Sequence, residues 1–89
     1  MFAAIYTFAG MTMEQYEQLI TALGLRNGLP GGMQFLLAGM AEEGWRIVML
    51  WKGAIPYDDW MLSKFQPACQ KMGLQPIPGT FKVADRIGI

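Results

Sequence analysis

The side chain best placed to do chemistry in this sequence is Asp85, near the end of the chain. It lies in a predicted last strand, residues 79–87, where alternation groups it on one face with three apolar residues, Phe81, Val83 and Ile87. A carboxylate desolvated by such neighbours could act as a general acid or base. The alternative is a solvated aspartate, or one paired with a nearby basic residue, which is the more frequent situation.

Tyr6 and Tyr57 are the next candidates, because a phenol can place a hydrogen bond inside an apolar pocket. In a reaction assisted by Asp85, we expect one of them to be the proton donor. The other side chains predicted to line the pocket are mainly apolar: Leu36, Met49, Trp51, Trp60, Met61 and Phe65. Their spacing also suits simple core packing, which is the commoner role for such residues.

Other kinds of active site have little support in this sequence. It contains no histidine, which removes the commonest general base at neutral pH and the commonest metal ligand. Asp58 and Asp59 are adjacent, so on a helix their carboxylates point apart, and we interpret them as charges near a helix start. Cys69 is the single cysteine and can form no intramolecular disulfide. We expect no metal site and no bound cofactor.

The charge balance argues against anionic partners. Seven basic residues offset seven acidic ones, so the surface has no net positive charge for nucleic acid or an anionic membrane. No apolar run approaches the roughly 18 residues of a membrane span, and the first residues lack the basic region of a signal peptide. We therefore expect a cytoplasmic protein with neither nucleic acid nor a membrane as partner.

Periodicity and turn signals predict four strands and two helices in the order βαββαβ. The strands are predicted at residues 2–9, 33–40, 45–52 and 79–87. The first helix begins at Thr12, which forms a capping box with Gln15, and ends at Gly24. The second follows residues 53–56, ends at Gly73, and should be distorted near Pro67.

The strands carry apolar residues on both faces, and this has a consequence for assembly. The strand at 45–52 has Trp45, Ile47, Met49 and Trp51 on one face, and mainly apolar residues on the other. Two helices can cover only one face of a four-stranded sheet. We therefore predict a single ferredoxin-like α+β domain over residues 1–89, whose antiparallel sheet has both helices on one face. The bare face should pair with another copy in a homodimer or higher homo-oligomer.

Segments 11–16, 33–39, 44–48 with Trp51, and 57–73 resemble the small bacterial proteins of the dimeric α/β-barrel superfamily. That group includes antibiotic-biosynthesis-monooxygenase-like domains. The resemblance implies a ferredoxin-like fold paired as a dimeric barrel. Members include cofactor-independent oxygenases, cyclases and isomerases, which act on substrates that supply their own electron sink.

The sequence departs from this family at positions that could line a pocket. Similar proteins often have histidine where Leu36 stands and again near Asp85, and an acidic residue where Met49 stands. The pocket is therefore predicted to be apolar, by natural divergence or by engineering, and no catalytic residue is carried over from the family. The leading hypothesis is a binding site for a small apolar or aromatic molecule between sheet and helices, in a protein that could be an enzyme. The alternative is a non-catalytic binding or assembly protein with a filled core.

Overall fold

The computed structural model describes residues 1–88, and its elements follow the predicted order. The strands are β1 (Phe2–Phe8), β2 (Met33–Ala41), β3 (Gly44–Trp51) and β4 (Ile77–Lys82). Helix α1 (Met13–Leu23) leads into a short 3₁₀ turn (Leu25–Asn27). Helices α2 (Ala54–Trp60) and α3 (Gln66–Lys71) are joined without a break by a π-helical turn (Met61–Phe65). The predicted α+β class is confirmed.

The four strands form one antiparallel sheet in the order β2-β3-β1-β4. β1 is therefore a central strand, with Tyr6 opposite Ile47 on β3 and Pro78 on β4. The helices pack on one face of this sheet and bury its aromatic and aliphatic side chains. These sheet residues are Ala4, Tyr6, Phe8, Met33, Trp45, Ile47, Met49 and Trp51.

The first helix has the ends that the sequence predicts. The backbone N–H of Gln15 donates to Thr12 Oγ1 at 3.1 Å, and the backbone N–H of Thr12 donates to Gln15 Oε1 at 2.9 Å. This capping box satisfies two backbone donors that the helix itself leaves unpaired. Gly24 caps the other end. Leu19 and Ile20 are buried, so this helix contributes one apolar stripe to the core.

The second helical segment begins earlier than expected and contains a distortion. Its first residue is Ala54, so Asp58 and Asp59 lie one turn inside the helix and do not stabilise its start, which corrects the prediction. Pro67 has no backbone N–H, and the helix accommodates it with the π-helical turn just before it, where the N–H of Gln66 donates to the carbonyl of Met61. None of the helices in residues 1–88 is long and apolar enough to cross a bilayer.

The last strand is shorter than predicted and lies earlier in the chain. It covers Ile77–Lys82 rather than 79–87, because its partner β1 begins at Phe2, which stands opposite Lys82. One further backbone bond, from Val83 N–H to the Met1 carbonyl at 2.9 Å, ends the pairing. Residues 83–88 have no regular secondary structure. Asp85 is thus outside the strand, and the expected alternation that would bury it is wrong.

The face of the sheet opposite the helices is largely apolar and partly exposed. Leu37, Ile77 and Phe81 are 61%, 69% and 54% exposed on it. Residues 83–88 lie against part of this face, where Arg86 Nη1 donates to Gln34 Oε1 at 2.8 Å. Within the described residues no helix covers this side, as the sequence predicts. We call it the bare face.

Candidate ligand-binding site

A cluster of aromatic rings holds the second helical segment against the sheet. Trp51 of β3 lies with its ring centroid 5.4 Å from that of Trp60, and Trp60 lies 5.3 Å from Phe65. Phe65 in turn packs on Tyr6 of β1, with centroids 4.7 Å apart. Such tilted pairs add about 0.5–1.5 kcal/mol each to the free energy of burial. The cluster therefore fixes how the helix lies over β1 and β3.

This packing brings two buried phenols together. Tyr6 lies on the helix-facing side of β1 and Tyr57 on the inner side of α2, and the side chains are only 5% and 4% exposed. Their hydroxyl groups form a hydrogen bond with each other. Each hydroxyl has one proton, so the pair uses one proton internally and keeps one to donate to a third group.

The surroundings keep the Tyr6 phenol protonated. Burial raises the pKa of Tyr6 far above its usual value, and the hydrogen bond with Tyr57 raises it further. The negative charge of Asp58 acts in the same direction. Tyr6 is therefore a hydrogen-bond donor, and not a general base, at neutral pH.

A cavity of about 580 Å³ opens beside these hydroxyls, between β1, β4 and the second helical segment. We call it the tyrosine cavity. Its wall is aromatic and aliphatic in the interior and carries amide, hydroxyl and carboxylate groups as well. The lining residues are Phe2, Tyr6, Tyr57, Asp58, Met61, Phe65, Gln66, Cys69, Gln70, Leu74, Gln75, Pro76, Pro78 and Thr80.

The tyrosine cavity brings together four of the nine residues that the sequence assigns to a site. Tyr6, Tyr57, Met61 and Phe65 lie on its wall. The other five do not line it, and the structure distributes them over the core, other surfaces of the helix side and the opposite side of the sheet.

Four of those five belong to the core or to other surfaces. Met49 and Trp51 are fully buried and pack in the centre of the core. Trp60 is buried and borders a groove with Lys64 on the other side of the helix. Leu36 lies on β2, at the edge of the sheet away from β4. The tyrosine cavity does not reach any of these four side chains.

Asp85 is exposed and lies on the other side of the sheet from the tyrosines. It borders a shallow groove of the bare face together with Ala3, Leu50 and Phe81. Its position follows from the early end of β4, which releases the chain after Lys82. A general acid or base role for Asp85 stays a prediction, but the structure does not join it to Tyr6 and Tyr57 in one site.

Sequence reasoning missed the polar part of the wall. Tyr57, Met61, Phe65 and Cys69 recur every four residues and form one helical stripe. Asp58, Gln66 and Gln70 each directly follow a residue of this stripe, and they are separated by multiples of four residues. This spacing is the signal in the sequence for the polar part of the wall. The sequence assigns the aspartates to a helix start because the helix is predicted to follow residues 53–56, whereas it begins at Ala54.

Cys69 contributes a thiol that stays protonated. The side chain is buried, and this burial raises its pKa to about 11. A thiol of this kind reacts slowly at neutral pH, because the thiolate is the nucleophile. It therefore belongs to the apolar part of the wall.

Comparison with solved structures identifies the fold. A candidate antibiotic biosynthesis monooxygenase from Deinococcus radiodurans superposes with a TM-score of 0.72 at 12% identity, over 100% of this chain and 98% of that one. A mutant of SnoaB, a cofactor-independent oxygenase from Streptomyces nogalater, gives a TM-score of 0.65 at 11% identity, over 97% of this chain and 93% of that one. No protein-family model and no curated protein sequence matches the chain. The chain thus has the ferredoxin-like fold of antibiotic-biosynthesis-monooxygenase-like proteins, as its sequence resemblance implies.

The raised pKa of Tyr6 predicts a loss of stability in alkali. Tyr6 stays protonated to a higher pH in the folded protein than in the unfolded chain, whose tyrosine pKa is near 10.0. The contribution of Tyr6 to the free energy of unfolding is therefore complete below that value, and it is lost as the pH rises through the pKa of Tyr6 in the folded protein. Tyr6→Phe should show a shallower alkaline decline, measured by urea denaturation at a series of pH values.

Burial also raises the pKa of Tyr16 and Cys69, so the wild-type decline has more than one source. The test therefore compares how steeply the free energy of unfolding falls with pH, above the ordinary tyrosine pKa, in the wild type and in Tyr6→Phe. Equal slopes in wild type and Tyr6→Phe would contradict the assignment.

Proposed function

We propose that the tyrosine cavity binds a small, mainly apolar or aromatic molecule that presents an oxygen atom to Tyr6 and Tyr57. One observation carries this proposal, namely a mutually bonded pair of buried phenols on the wall of a cavity of about 580 Å³. Small-molecule sites have volumes of about 300–1,000 Å³ and combine apolar walls with a few polar groups. The pair retains one proton to donate, which gives the ligand its orientation.

The apolar wall favours a flat ligand. The Phe65 ring packs on Tyr6, and Phe2 packs on Tyr57 with ring centroids 5.1 Å apart. An aromatic ring that enters between these groups would exchange water for ring contacts at little conformational cost. Leu74 and Pro78 line the same space, so the bound ring would lie between the helix and β4.

The second candidate is an enzyme of the cofactor-independent oxygenase type, favoured by the buried phenol donor together with the fold shared with SnoaB. In this chemistry a hydroxyaromatic substrate releases a proton to the solvent and then transfers an electron to O₂. The one proton that the Tyr6–Tyr57 pair keeps would form a hydrogen bond with the oxyanion, against the opposing charge of Asp58, while the cavity orients the ring.

A non-catalytic binding or assembly protein remains the alternative. A binding protein would hold the ligand in the tyrosine cavity just as an enzyme would. An assembly protein with a filled core would bind no ligand there. Turnover of a suitable substrate separates the enzyme from the binding protein.

We further propose that two copies pair through the bare face to form a homodimer. Exposed apolar side chains on the two edge strands, β2 and β4, support this, since a small protein rarely leaves such a patch in water. Leu37 and Phe81 lie on opposite edges of the sheet, so the apolar surface extends across its width. A two-fold axis would bury it against itself.

The first test uses 2-naphthol as the probe and naphthalene as its analogue without the hydroxyl group. The Tyr6→Phe/Tyr57→Phe double variant should weaken 2-naphthol binding by about 1 kcal/mol, or about fivefold, because no phenol proton is left to donate to the ligand. Naphthalene binding should change far less. Isothermal titration calorimetry gives both dissociation constants, and Tyr16→Phe provides the control, since Tyr16 packs on Trp45 away from the cavity.

The single cysteine offers a second readout of the same binding event. Cys69 lies on the cavity wall, so a bound ring should slow its alkylation by iodoacetamide still further below the low rate of the protonated thiol. Binding on the bare face would leave that rate unchanged. An unprotected thiol at saturating 2-naphthol, or equal losses of affinity in Tyr6→Phe/Tyr57→Phe and Tyr16→Phe, would refute the cavity as the site.

The enzyme hypothesis predicts turnover of anthrone, whose conjugate base is an aromatic oxyanion. Anthrone and O₂ give anthraquinone and water, so the balance requires no other reagent. The protein should accelerate anthraquinone formation, and the Tyr6→Phe/Tyr57→Phe double variant should lose most of that rate while Tyr16→Phe retains it. A rate equal to that in buffer, or equal in all three proteins, would reject this reaction for the cavity.

The homodimer is tested by charge insertion. Leu37→Arg places a charge on the bare face and should convert the dimer to a monomer at micromolar concentration, as measured by light scattering. Ile55→Arg is the matched control, because Ile55 is 76% exposed on α2, on the helix side. A wild-type protein that is a folded monomer at this concentration would disprove the interface.

A further inference from the structure

We infer that the tyrosine cavity selects an uncharged ligand over its carboxylate analogue, and that Asp58 sets this preference. The inference rests on the proposed ligand site and adds the charge class of its ligand. It makes Asp58 a specificity-determining residue, a role that its sequence position alone does not suggest.

The charge distribution of the wall is one-sided. Among the described residues that line the cavity, the groups able to carry charge are all acids: Asp58, Tyr6, Tyr57 and Cys69. The wall includes no lysine or arginine. An anionic ligand would therefore meet one carboxylate and no compensating cation.

The basic residues of the neighbouring elements do not correct this imbalance. Lys64 borders the groove on the other side of the helix, and Lys52 and Lys71 are exposed and do not line the cavity. Lys82 lies opposite Phe2 at the end of β4, on the helix-facing side of the sheet, but it is exposed and stands beyond Thr80, the last residue of that strand on the wall. Arg26 and Arg46 lie elsewhere and form ion pairs with Glu17 and Glu43. A carboxylate bound beside the phenols would thus lose hydration without an ion pair to any residue of the wall.

The two phenols cannot compensate for the missing cation. Their mutual hydrogen bond uses one of their two protons, so the pair has a single proton to donate. One donor satisfies a ketone or hydroxyl oxygen, whereas a buried carboxylate needs two or three. The amides of Gln66, Gln70 and Gln75 are further donors, but these residues are exposed and uncharged.

Asp58 and its neighbour offer a matched comparison. Asp58 lines the cavity and raises the pKa of Tyr6 through its charge, while Asp59 lies outside the wall. Both are exposed residues of α2 with the same charge. Replacing either by asparagine changes the net charge equally, so only a local effect can distinguish them.

The test compares the dissociation constants of 2-naphthol and 2-naphthoate near neutral pH and at low salt. We expect the wild-type protein to bind 2-naphthol more tightly by at least about tenfold. Asp58→Asn should reduce that ratio several-fold by strengthening 2-naphthoate binding, and Asp59→Asn should leave the ratio at its wild-type value. Added salt should also narrow the wild-type ratio, because it screens a charge that is partly exposed.

The possible results separate this inference from the proposed site. Equal affinities for the two ligands, with Cys69 protected by both, would overturn the charge preference and leave the ligand site standing. Equal effects of Asp58→Asn and Asp59→Asn would overturn the role of Asp58. Failure of both ligands to bind or to protect Cys69 would overturn the site and the inference together.

Discussion

The aromatic contacts between the sheet and the second helical segment are the interaction on which the other features depend. The ring of Trp51 packs on Trp60, and Trp60 packs on Phe65. Phe65 packs on Tyr6, so a continuous series of aromatic contacts connects β3 to β1 through the helix. This packing sets the distance of α2 from the sheet and its rotation about the helix axis. The meeting of the Tyr6 and Tyr57 hydroxyls is a result of that rotation, and the cavity lies on the side of the cluster toward β4.

The edge strand next to the cavity, β4, contains a proline, which cannot donate a backbone hydrogen bond, and a small side chain, which leaves space for a ligand. Pro78 lies opposite Tyr6 in β4, an edge strand, which is where a sheet tolerates proline. Pro67 produces the π-helical turn that carries Met61 and Phe65. Prolines therefore shape both walls of the space, and the small Thr80 leaves room between them. The result is an apolar site beside a solid core.

The fold could be predicted from the sequence because its signals are local. The Thr12 capping box and the alternation in β3 fix elements, and the order of elements with right-handed crossovers fixes the topology. The site could be predicted only in part. The sequence places Asp85 in a strand because the length of β4 depends on where β1 begins, and it assigns Asp58 to a helix start because its position on the cavity wall depends on helix rotation. The end of β4 and the rotation of α2 both depend on contacts between elements, so neither can be predicted from the periodicity of a single segment.

The central claim is that the tyrosine cavity, and not the bare face, is where a small molecule binds. A crystal structure of the protein soaked with 2-naphthol tests it most directly. The account predicts electron density for the ring beside Phe65 and Pro78, with its oxygen within hydrogen-bonding distance of Tyr6 Oη or Tyr57 Oη. Density for the ring on the bare face alone, with the tyrosine cavity unoccupied, would contradict it.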